Sequence, residues 1–100
     1  MPDKPELIWE PGAVNDLSRL REFIVPHNPE AAGRAAQVII EAANRLLDNP
    51  ALGHPLEDLP AFRKLVIPFG RRGYVLHYRV DGQKILVLRI WHTGEERSDF

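Results

Sequence analysis

The chain contains no cysteine. That excludes a disulfide framework, thiolate-ligated zinc and a cysteine nucleophile, and it fits a reducing compartment such as the cytosol. Nowhere do 18 apolar residues follow one another, and Met1-Pro2-Asp3-Lys4-Pro5 is no basic stretch leading into an apolar run. Neither membrane insertion nor secretion is therefore expected, and a cytoplasmic location is. The histidines stand singly at 27, 54, 77 and 92, with no pair at metal-ligand spacing, so no metal is expected. A glycine-rich phosphate loop and a nucleophile motif are missing too, and no cofactor is expected. An excess of one charge is also lacking: the net charge is −1, which argues against tight nonspecific nucleic-acid binding through many phosphate contacts.

What remains is ordinary globular material, 44% apolar and 27% charged over 100 residues. A length of this order houses one domain, here residues 1–100, around one hydrophobic core. The charge is unevenly spread: residues 1–59 carry 5 basic and 10 acidic side chains, residues 60–100 carry 8 basic and 4 acidic. Either the C-terminal part meets something anionic, or long arginine side chains merely border a small sheet.

Leu7-Ile8-Trp9 reads as an opening strand closed by Pro11-Gly12. From Ala13, apolar Val14, Leu17, Leu20 and Ile24, with Phe23 beside them, recur at helical spacing, and Pro26 marks the end of that helix. Asn28-Pro29-Glu30 starts a second helix: Asn caps free N–H groups, Pro suits the first turn and Glu favours the dipole. Its face runs through Ala32, Ala35, Ala36, Ile39, Ala42, Ala43, Leu46 and Leu47 to a stop at Asp48-Asn49-Pro50. The short link between the helices implies an antiparallel hairpin. Prolines 50, 55 and 60 with Gly53 mark a connecting loop.

Three strands follow. Phe62 to Phe69 sets Leu65, Ile67 and Phe69 on one side, and Tyr74 to Val80 alternates Tyr74, Leu76, Tyr78 and Val80 against Val75, His77 and Arg79. Lys84 to His92 is the most apolar and is expected to be central, with Leu86, Leu88 and Ile90 facing one way and Ile85, Val87, Arg89 and Trp91 the other. Gly70-Arg71-Arg72-Gly73 and Asp81-Gly82 are hairpin turns. The order is β-α-α-β-β-β, an α+β fold in which a small antiparallel sheet carries an N-terminal helical hairpin on one face. Two helices cannot cover both faces, so Trp91, Ile85 and Val87 are expected to form an apolar patch on the open one.

That order resembles the RelE/ParE toxins of type II toxin–antitoxin systems from Ile8 to about Arg97. The strings that carry it are Ile8-Trp9-Glu10-Pro11-Gly12-Ala13 before an Asp16-Leu17 helix and Asn28-Pro29-Glu30-Ala31-Ala32 opening the next. Leu46-Leu47-Asp48-Asn49-Pro50 leaves that helix, and Phe62-Arg63-Lys64-Leu65, Tyr74-Val75-Leu76-His77-Tyr78 and Val87-Leu88-Arg89-Ile90-Trp91-His92 follow. The resemblance implies a toxin held inactive in a hetero-oligomer with a cognate antitoxin, ParD-like or RelB-like. An open apolar groove with a basic rim suits an amphipathic, acidic antitoxin segment, and Arg63, Lys64, Val87, Arg89 and Trp91 are its expected contacts.

Within the family, ParE-type members poison DNA gyrase and RelE-type members cleave messenger RNA on the ribosome. RNA cleavage needs a proton acceptor, a proton donor and cations at the phosphate. Arg63, Arg71, Arg89 and His92 would serve, with Lys64 and Arg72 as further cations, but Arg89 and His92 have opposite strand parity and should point to opposite faces. Glu57 and Asp58 stand where RelE-like enzymes place lysines, no aromatic hydroxyl follows His92, and the tail Glu95-Glu96-Arg97-Ser98-Asp99 is acidic. The ParE branch is therefore favoured, with Arg71, Arg72 and Arg89 touching the target. The alternatives are the ribonuclease and a non-toxic module that only binds antitoxin.

Overall fold

The first strand and helix share a boundary at Pro11. In the computed structural model, which describes residues 5–24 and 29–94, β1 spans Glu6–Trp9 and α1 spans Pro11–Ile24. Pro11-Gly12, expected to close the strand, is itself the first helical turn. Proline suits that position because its missing N–H would have no partner there anyway. The Glu10 carbonyl accepts from the N–H groups of Ala13 (2.9 Å) and Val14 (3.1 Å). The expected stop at Pro26 and cap at Asn28 lie outside the described residues.

Helix α2 spans Pro29–Arg45, ending before the expected stop at Asp48. Its last turns tighten: Leu46, Leu47 and Asp48 donate to the carbonyls of Ala43, Asn44 and Arg45 at 3.0, 3.1 and 3.2 Å. Such three-residue bonds are a common way for a helix to run out.

The sheet has five strands in the order β1-β5-β4-β3-β2, where β2 is His54–Pro55, β3 Phe62–Phe69, β4 Arg72–Asp81 and β5 Lys84–His92. Strands β2 to β5 are antiparallel, and β1 pairs parallel with β5, Leu7 opposite Ile85 and Trp9 opposite Val87. The central strand is β4, not β5, which lies between β1 and β4. The two-residue β2, inside the segment expected to be only a loop, is too short for any sequence period to show. Both hairpin loops are two residues long. Gly70-Arg71 and Gly82-Gln83 make them, so Arg72 and Asp81 are strand residues paired with Phe69 and Lys84. Gly70 has a φ of +64°, a backbone that glycine alone adopts without steric cost.

Both helices pack on one face, α1 against β5 and α2 against β3. From α2, Ala35, Ile39, Ala42, Ala43 and Leu46 are buried, and the sheet meets them with Leu65, Ile67, Tyr74, Leu76, Tyr78, Ile85, Val87 and Ile90. Each large aliphatic side chain removed from water here contributes about 1.5–3 kcal/mol. The face of α1 differs from the apolar period: Val14 is 48% exposed and Asp16 is buried.

The strongest departure lies in β5. His77 pairs with Arg89 and Tyr78 with Val87, so one step along β4 matches two along β5, and Leu88 is the extra residue of a β-bulge. The bulge resets the alternation. Ile85, Val87 and Ile90 all enter the core, so the patch expected from Ile85 and Val87 on the open face does not form. Strict alternation would have sent Ile90 the other way.

Candidate functional site

The bulge is held by a buried carboxylate. Asp16, one turn into α1, accepts from Arg89 Nε at 2.7 Å and Nη2 at 3.1 Å, and from the Ile90 N–H at 2.9 Å. Arg19 adds a 3.5 Å contact to Asp16 and donates to the Ile90 carbonyl at 3.3 Å. Burial pushes the Asp16 carboxyl up, but the Arg89 and Ile90 hydrogen bonds and the charges of Arg89 and Arg19 outweigh it. The group is held below its ordinary value of 3.8. A Cβ on Gly12 would lie 3.2 Å from Arg89 Cδ, so the start of α1 rests closely on this side chain. Arg89, expected as a target and antitoxin contact, is thus an anchor between α1 and β5.

Arg63 is also engaged. Its Nη1 donates to the Gly53 carbonyl at 2.7 Å and the Ala51 carbonyl at 3.3 Å, holding the loop after α2 against β3. Tyr78 works beside it: its hydroxyl donates to the Pro50 carbonyl and accepts from the Gly53 N–H, both at 2.8 Å. Burial raises the Tyr78 pKa, against the opposing Gly53 hydrogen bond and Arg63 charge.

Arg71 is exposed at the tip of the β3–β4 hairpin. Arg72 begins β4, and a Cβ on Gly94 would lie 2.8 Å from its Nη1 and 3.0 Å from His92 Nδ1, so the arginine and the histidine share one end of the sheet. His92 Nδ1 accepts from the Gly94 N–H at 3.0 Å, and the ring stands edge-on to Tyr74 with centroids 5.3 Å apart. Val87 is fully buried and cannot be a surface contact. Trp91 is half-buried on the open face, edge-on to His77 at 4.4 Å. His77, expected on the non-core face, is there but only 2% exposed.

The register brings together a row that no spacing in the sequence marks. His54 pairs with Lys64, Lys64 with His77 and His77 with Arg89, a basic line across four strands. Beside it Val66 pairs with Val75 and Val75 with Trp91, an apolar line. The ribonuclease candidates are not gathered. Arg63 faces Tyr78 while His92 faces Tyr74, and four residues of strand are about 13 Å. The two therefore start from well-separated positions on the sheet. Among the described residues, no three His, Asp or Glu side chains are placed to hold a metal ion, and no helix is long and apolar enough to cross a membrane.

Comparison with known proteins agrees with this architecture. The chain is 36% identical to toxin RelE1 of Caulobacter vibrioides over 85 residues, 85% of this chain and 89% of that one. It is 37% identical to toxin RelE3 of the same organism over 87 residues, 87% of this chain and 92% of that one. Among solved structures, the chromosomal ParDE toxin–antitoxin system from P. aeruginosa superposes with a TM-score of 0.75 at 32% identity, covering 89% of this chain and 96% of that one. The family model for the ParE toxin of the type II toxin–antitoxin system parDE matches residues 7–97, and with the fold just described it places the chain in the ParE family of the RelE/ParE toxins, as the toxin of a type II toxin–antitoxin system.

Proposed function

We propose that the chain inhibits DNA gyrase and is neutralised in the cytoplasm by a ParD-like antitoxin, with which it forms a hetero-oligomer. The observation that carries this reading is the commitment of the cations a ribonuclease would need. Arg89 is bound to Asp16, Arg63 is bound to loop carbonyls, and His92 stands about four strand residues from Arg63. A protein that acts by binding needs no such convergence. Its surface contacts are Arg71 and Arg72 for the target, and Lys64 with Trp91 on the open face for an acidic, amphipathic antitoxin segment.

The names of the two Caulobacter relatives favour a second reading, ribosome-dependent cleavage of messenger RNA. Supercoiling of relaxed plasmid by purified gyrase, titrated with the folded, antitoxin-free chain, separates the two. Inhibition with linearised plasmid is expected. Undisturbed supercoiling together with messenger cleavage on translating ribosomes would sink the gyrase reading. Growth arrest on induced expression without antitoxin tests the third possibility, a non-toxic antitoxin-binding module, which predicts normal growth.

A further inference from the structure

The outward face of α2 belongs to none of the features above. Gly33, Ala36, Gln37 and Ile40 line an open groove on it, flanked by Arg21 and Glu41. Positions 33, 36, 37 and 40 are the i, i+3, i+4, i+7 set that forms the hole of a knobs-into-holes contact. Among the described residues nothing lies within 4 Å of where a Gly33 Cβ would be, so their packing leaves the floor open to a close approach. Ile40 projects from the same face, 40% exposed.

The charges along one flank of the groove reverse sign on reversal of the helix. Glu30, Arg34, Glu41 and Arg45 are all exposed. About a two-fold axis between Gln37 and Val38, Glu30 of one copy falls opposite Arg45 of the other, and Arg34 opposite Glu41. The same axis sets each Ile40 over the hole of its partner. An isologous contact requires this kind of self-complementarity. Within one chain Glu30 and Arg34 are 3.8 Å apart at 88% and 61% side-chain exposure, and Gln37 donates to Glu41 at 3.3 Å. Such i, i+4 contacts account for helix solubility, but not for an exposed isoleucine beside a four-residue hole.

We propose that two copies of this chain associate through α2 packed antiparallel on itself, Ile40 of each seated over Gly33 and Ala36 of the other. One helix pair is a small interface, so the association is weak. Sedimentation velocity of the full chain from about 10 to 500 µM is expected to show the mass rising toward twice that of one chain. The absence of cysteine makes a sharper test possible. Gln37→Cys lies beside the axis and is expected to oxidise to a disulfide-linked dimer about tenfold faster than Glu57→Cys on the exposed loop.

Charge reversal separates the interchain pair from the intrahelical ones. Glu30→Arg or Arg45→Glu alone is expected to weaken association about threefold, and the two together to restore it. If only contacts within one helix mattered, the two losses would add. A monomer at every concentration, with Gln37→Cys no faster than Glu57→Cys, overturns the proposal. So does a monomer in which antitoxin shields Gln37→Cys from a thiol reagent, because the face would then belong to the antitoxin.

Discussion

At the scale of single residues, Asp16 decides more than any arginine. It is buried, it accepts two bonds from Arg89 and one from the Ile90 N–H, and so it ties α1 to the bulged part of β5. Asp16→Asn keeps the shape but removes the charge and leaves Arg89 without its counterion. Hydrogen bonds to charged groups contribute about 1.5–3 kcal/mol, and Arg89 remains partly solvated, so a loss of about 2 kcal/mol is expected in urea unfolding at pH 7. The pH dependence follows from the depressed carboxyl. Its stabilisation is complete above the ordinary value of 3.8 and is lost as pH falls through the lower folded value. The gap between parent and Asp16→Asn should therefore persist at pH 5 and narrow as pH falls below 3.8, and a gap unchanged at pH 3 would refute the assignment. In the sequence Asp16 is one polar residue among several between the apolar positions of α1. Only the partner 73 positions away gives it a role, and no helical period encodes that partner.

At the scale of elements, the helices and the meander were legible because each has a period, while β2 and the bulge have none. The alternation in β3 correctly set Leu65 and Ile67 inward. In β5 the run is apolar on both faces, so nothing in Ile85-Leu86-Val87-Leu88-Arg89-Ile90 signals where one residue is skipped, and every assignment on one side of the skip changes face. The α2–β3 connection is specified instead by side chains from the sheet. Tyr78→Phe leaves the Pro50 carbonyl and the Gly53 N–H without the hydroxyl, and a loss of about 1–3 kcal/mol is expected in thermal or urea unfolding. Gly53→Ala places a Cβ 2.7 Å from the Lys64 carbonyl and 2.8 Å from the Tyr78 ring, forcing backbone to move. It should cost about 1–3 kcal/mol, and in the Tyr78→Phe background the two losses should fall short of their sum, since both act on one contact. Strict additivity would mean that the loop is held by something else.

At the scale of the whole molecule, the uneven charge becomes a division between layers. Residues 60–94, which build β3, β4 and β5, carry seven Lys or Arg and one Asp. Arg63 and Arg89 are bound internally, so the exposed cations of that layer are Lys64, Arg71, Arg72, Arg79 and Lys84. They fall in separate places. Arg71 and Arg72 lie at the β3–β4 hairpin, while Arg79 and Lys84 lie toward the far end of β4 and the start of β5, roughly 25 Å away along the strand. A general attraction to polyanions would use both groups and fade alike when either is removed. A docked target reads position. If the hairpin is the gyrase contact, Arg71→Ala with Arg72→Ala should raise the concentration for half-inhibition of supercoiling about tenfold, two exposed charged contacts each contributing under 1 kcal/mol. Arg79→Ala with Lys84→Ala should leave it unchanged within about twofold at the same ionic strength. Both double variants alter exposed side chains, so their melting temperatures should stay within about 2 °C of the parent. Equal losses from the two pairs would replace a docking site with a diffuse field, and the hairpin would then have no special claim on the target.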